Sequence, residues 1–130
     1  MPENPSVFFQ CAGAAEVCGP LRTAVEDAIG KAGLASVRTP ARADIGVDAR
    51  VEIVQERVDQ QFRTTFAVRN YSIDVTAEAV KTSETVGMPA PATLSFDPQY
   101  GGERAAEKAR LIASDIIDRI KAYVKRKRAG

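Results

Sequence analysis

No histidine and no tryptophan occur among the 130 residues, and there are only two cysteines. Without histidine the chain lacks the commonest general base, the commonest metal ligand and every histidine-containing triad. Two cysteines cannot close a four-thiolate zinc site, and the acids are scattered rather than paired at a recognisable spacing. The expectation is a non-enzymatic protein with no metal and no other cofactor. No run of about 18 apolar residues exists, so no membrane-spanning helix is expected. The opening Met-Pro-Glu-Asn-Pro-Ser lacks the basic start and apolar core of a signal peptide, which leaves two readings: a cytosolic chain, or an exported one whose signal has been removed.

What is present suits one folded domain. Hydrophobic residues make up 45% and charged residues 27%, and the formal net charge of +1 argues against a general polyanion-binding surface. That charge is uneven. Six basic residues and no acid follow from Arg119 onward, which leaves −5 on residues 1–118. Residues 1–5 carry two prolines and no periodicity and are read as a loose arm, 6–124 as the domain, and 125–130 as a basic tail.

The longest pattern lies near the C-terminus. Ala105, Ala109, Ile112, Ala113, Ile116, Ile120, Tyr123 and Val124 recur at intervals of three and four, predicting a helix of about 25 residues with one apolar stripe. It should begin beside Gly101 and Gly102. A second helix is expected from Pro20 to Gly33, with Leu21, Val25 and Ile29 inward. Strands are expected at Ser6–Cys11, in a short piece within Leu34–Thr39, and from Ala43 to Ile53, where apolar and polar residues alternate. Glu56 to Gln61 is polar and reads as a turn. Phe62 to Val68 alternates in even phase and Tyr71 to Ala79 in odd phase, so a break is expected at Arg69-Asn70. A bulge in one long strand is favoured there over a turn between two. Thr82 to Pro98 reads as loop, with a short edge strand at Ala92–Phe96. The fold class is α+β, a two-layer sandwich with two helices on one face of a mixed sheet of about four strands.

Cys11 and Cys18 have three readings: a disulfide, which fits an oxidising compartment; a reactive Cys18 thiol near a helix N-terminus; or two small buried hydrophobes. The connection Cys11–Pro20 joins a strand to a helix but has neither dinucleotide-binding nor P-loop spacing. Lys121, Lys125, Arg126, Lys127 and Arg128 could contact nucleic acid, an anionic surface or an acidic partner, or could simply complement the helix dipole. Phe62, Phe66 and Tyr71 fall on alternating faces and are assigned to the core rather than to base stacking.

A glycine-ended helix before a short strand (Ala32-Gly33-Leu34), an Ala-Asp pair opening a long strand (Ala43-Asp44-Ile45-Gly46-Val47), a second long strand (Tyr71–Val80) and an Ala-rich helix start after glycines (Gly101–Ala106) follow in order. In this the chain resembles bacterial cell-envelope domains: the N-terminal domain of TolB, the penicillin-binding-protein activator lipoproteins, the curli secretion lipoprotein and flagellar assembly protein T. It departs from them at Ala49, where a glycine is frequent, and at Val80–Glu84, where an Asp-x-x-Thr-Gly turn is frequent. The resemblance implies a non-enzymatic periplasmic or outer-membrane-associated domain that works by binding other proteins, within a lipoprotein or larger assembly. Other envelope proteins or a second copy are the expected partners, and the free sheet edge or the sheet face opposite the helices is the natural binding surface. The alternative is a cytosolic nucleic-acid-binding module using the basic C-terminal residues.

Overall fold

The computed structural model describes residues 1–130. Strand β1 (Ser6–Gly13) passes directly into helix α1 (Ala15–Lys31). The bend falls on Gly13, whose φ of 118° belongs to the region that favours glycine. A Cβ at this position would lie 1.8 Å from the Val51 carbonyl oxygen, so close approach demands glycine as much as the dihedral does. The bend also corrects the expected helix start. The Ala14 carbonyl already accepts from the Val17 and Cys18 amides at 3.1 and 2.9 Å, so the first turn is formed before Pro20 is reached. Pro20 therefore sits inside the helix, where it supplies no amide to the Glu16 carbonyl. At the other end Gly33 (φ 76°) closes the helix as expected. The Leu34 amide returns to the Ile29 carbonyl at 3.0 Å and the Gly33 amide to that of Gly30 at 3.1 Å, a Schellman arrangement.

Strand β2 (Ala35–Ser36), a 3-10 turn (Pro40–Arg42), β3 (Ile45–Gln61), β4 (Thr64–Ala79), β5 (Glu84–Val86), β6 (Ala92–Phe96) and helix α2 (Gly102–Ala129) complete the chain. The sheet runs β2-β1-β3-β4, and both β5 and β6 lie along the far edge of β4. Since β1 is parallel to β2 and β3 while the remaining pairs are antiparallel, the sheet is mixed. The two helices cover one face, so the expected two-layer α+β sandwich is what forms, with six strands. The apolar stripe of α2 is buried at every expected position and gains Ile117, while Leu21, Val25 and Ile29 of α1 meet Val47, Ala49, Ile73 and Val75 in one core. α2 continues to Ala129, so residues 125–129 are the last turns of a helix rather than a separate tail. At the opposite terminus Pro5 is buried and Glu3 pairs with Arg128 at 3.4 Å, which ties residues 1–5 to the body.

Two further expectations need correction. Glu56–Gln61 is not a turn: it is the outer half of β3, and the chain reverses at Phe62-Arg63, with Phe62 at φ 56°. Nor does β4 break at Arg69-Asn70. It is one continuous strand, and the bulge lies opposite, at Val54 of β3, where the register passes from Ile53↔Tyr71 to Gln55↔Asn70. The phase change read within β4 has a different cause. Tyr71 and the odd residues after it face the helices, whereas Phe66 lies on the other face, where the Tyr100 ring meets it edge-on at 5.5 Å.

Candidate interaction surfaces

β1 ends opposite Val51, so β3 has no neighbour on its outer side from Glu52 onward, and the β3–β4 hairpin projects as a two-stranded arm. Its two edges differ. On the β4 side, β6 pairs with Arg69–Ile73, and the next accessible amide, that of Ala67, donates to Asp97 Oδ2 at 2.8 Å. The β3 edge is open. Most of the large hydrophobics left in solvent are on this arm: Ile53 (47% exposed), Val54 (61%), Val58 (69%) and Phe62, fully exposed at the tip. Phe62 is thus not the core residue expected from sequence, and Phe66 is only half-buried, whereas Tyr71 is fully buried and stacks on Phe96 at 5.1 Å.

A polar cluster fixes the root of the arm. Arg69 and Tyr71, two apart on β4, point to the helix side. There Glu16 Oε1 accepts from the Tyr71 hydroxyl at 2.7 Å and from Arg69 Nη1 at 2.8 Å, and Arg69 Nε donates to Glu56 Oε1 at 3.0 Å. Glu16 occupies the first turn of α1, where the helix dipole favours a carboxylate. Hydrogen bonding from Tyr71 is the main cause that holds its carboxyl below the usual range, while burial, with Glu16 beside it, pushes the Tyr71 hydroxyl up to about 12. Arg69, bonded first to Glu56, stays charged throughout. The three elements that meet at this point are α1, β3 and β4. No group of three or more acids or cysteines stands close enough to hold a metal ion.

Cys11, near the end of β1, and Cys18, in the first turns of α1, are joined in a disulfide with Cα atoms 5.6 Å apart. That arrangement removes the free reactive thiol considered at Cys18. Cys18 is buried and Cys11 half-buried, so the bridge fastens the strand-to-helix bend from beneath.

The basic residues at the end of α2 do not form one free patch. Lys127 pairs with Glu84 at 2.6 Å, and Arg128 pairs with Glu3. Lys127 and Arg126 also flank the Tyr123 ring at 5.7 and 5.5 Å from its centroid. Lys121, Lys125 and Arg128 border a shallow hollow of about 370 Å³ with Pro5 and Leu34. On the sheet face opposite the helices an open depression of about 600 Å³ is bordered by Phe8, Gln10, Asp48, Thr76 and Glu78. No helix of the chain is long and apolar enough to cross a membrane.

No family model matches the chain, and no curated protein sequence is significantly similar to it. Solved structures do share its fold. A candidate lipoprotein of Caulobacter crescentus superposes with a TM-score of 0.59 over 90% of this chain and 91% of its own, at 16% identity. PelC of Paraburkholderia phytofirmans, a dodecamer, gives 0.54 over 92% and 86% at 10% identity. A Xanthomonas campestris protein of family DUF330 also gives 0.54, over 89% and 85% at 10% identity. The fold is therefore one found among bacterial lipoproteins, as the sequence resemblance implied in its broad form.

Proposed function

We propose that this chain is a non-catalytic protein-interaction domain of the bacterial cell envelope, periplasmic or outer-membrane-associated, and that the β3–β4 arm is its contact element. The observation that carries the reading is the concentration of exposed apolar side chains beside an unpaired strand edge, on an arm tied to α1 at its root by the ion pairs of Arg69 with Glu16 and Glu56. An open edge offers backbone hydrogen bonds to an added strand, and neighbouring apolar side chains add specificity. The lipoprotein company of the fold supports the compartment, and the disulfide is consistent with an oxidising one. The fold's occurrence in a dodecamer supports self-association among the candidate partners.

The test is a photo-crosslinking residue placed at Phe62, with Leu111 on the exposed side of α2 as control, in cells that express the protein. Adducts to envelope protein from position 62 and none from position 111 support the reading. Equal adducts from both positions, or none together with tight RNA binding, contradict it. The nucleic-acid alternative is weakened because Lys127 and Arg128 are already paired to acids of the same chain. It predicts affinity that falls steeply with salt.

A further inference from the structure

The open edge has a sequence that is complementary to itself in one register. Ahead of the bulge the Val80 amide donates to the Asp44 carbonyl at 3.0 Å and the Ala14 amide to that of Val51 at 3.3 Å. Even-numbered residues of β3 there bond β4, and odd-numbered ones bond β1. The extra residue at Val54 reverses this. Beyond it Gln55, Arg57, Asp59 and Gln61 bond β4, while Glu56, Val58 and Gln60 direct their N–H and C=O groups to the empty side. The same parity follows from the hairpin end, where Gln61 and Thr64 enclose a two-residue loop.

Two copies can add edge to edge only if outward-directed residues meet one another. Centring an antiparallel pair on Glu56, Arg57 or Asp59 sets like charges directly opposite. Centring it on Val58 does not. Val58 then faces Val58, Arg57 faces Asp59 twice, Glu56 faces Gln60, and Val54 comes level with Phe62. Within one chain Arg57 and Asp59 already lie 3.3 Å apart, and their own cross-strand neighbours are the uncharged Val68 and Phe66. Resting on the interaction reading above, we propose that this edge pairs with the same edge of a second copy of the chain, antiparallel about a twofold axis at Val58. The charged residues flanking the apolar ones favour such a partner over a lipid interior, where each charge would be costly.

Sedimentation of the full chain from micromolar to millimolar concentration tests this, using Arg57→Asp, Asp59→Arg and their equimolar mixture. Wild type should dimerise reversibly. Each single variant should self-associate at least about tenfold more weakly, because two attractive pairs become repulsive. The mixture should recover the dimer, since every 57/59 pair across the axis again joins opposite charges. Unchanged melting midpoints in dilute, monomeric protein exclude misfolding. A wild type that stays monomeric, a mixture no stronger than its components, or binding of the arm to phosphatidylglycerol vesicles in place of dimerisation would overturn the proposal. A monomer that still crosslinks from position 62 to an envelope protein would overturn the self-pairing alone and leave the proposed function standing.

Discussion

The Tyr71 hydroxyl donates to Glu16 at 2.7 Å across the junction of β4 and the first turn of α1, and Arg69 shares the same acceptor oxygen. This places an ionised carboxylate over a buried phenol at the point where the arm leaves the body. Glu16→Gln removes the charge and retains the shape, and it should lower stability by about 1–3 kcal/mol, the range for a charge-assisted bond whose partners remain. Tyr71→Phe should cost about 1 kcal/mol, and the double variant should fall short of the sum. Urea unfolding measures all three. Strict additivity would show that the two groups act independently.

The same cluster sets two pH limits. The Glu16 pKa is lowered on folding, so its contribution is present above the ordinary carboxylate value of 4.5 and is lost as pH falls below that through the depressed value. The Tyr71 pKa is raised from 10.0 to about 12, so its contribution is present below 10 and is lost between these values as pH rises. Glu16→Gln should flatten the acid limb and Tyr71→Phe the alkaline limb. A wild-type melting temperature that does not decline in either window would contradict the assignment.

Gly13→Ala should be among the most damaging single changes. It combines a φ of 118° with a Cβ placed against the Val51 carbonyl. Strain of this kind costs about 1–3 kcal/mol before the clash is counted, so a loss above about 2 kcal/mol is expected by denaturant titration. Gly30→Ala, at a site with open space around it, should instead be neutral or stabilising, since it raises helix propensity.

The elements read most clearly in sequence are those with one dry face. Ile45–Val51 and the stripe of α2 alternate or recur because the helices and sheet exclude water from one side. Past Val54 both faces of the arm are wet, the alternation fades, and Glu56–Gln61 imitates a turn although its backbone is fully extended. The real turn at Phe62-Arg63 carries neither glycine nor asparagine, so the usual hairpin signal is missing. For the same reason the candidate surface was illegible. An exposed phenylalanine is indistinguishable from a core one until the strand around it is placed. The edge strand at Ala92–Phe96 was readable because prolines bracket it, whereas the three residues of β5 offer no pattern at all.

Reduction of Cys11–Cys18, or replacement of both by alanine, should lower stability by about 2–3 kcal/mol, since the bridge closes a short loop. The core formed by α1, α2 and the sheet holds 26 buried residues, of which Cys18 is one, so the reduced chain should keep its circular dichroism at room temperature. Loss of all helical signal on reduction would show that the bend at Gly13 needs the bridge to form.

The most direct test of the arm as a contact surface is amide hydrogen exchange, residue by residue along β3, in dilute and in concentrated protein. The outward amides of Glu56, Val58 and Gln60 should exchange freely when dilute and slow by at least about tenfold when concentrated, while those of Arg57 and Asp59, bonded to β4, stay protected throughout. Outward amides that are already protected in dilute protein would contradict the open edge, and outward amides that exchange at the same rate at every concentration would contradict its pairing with a second copy.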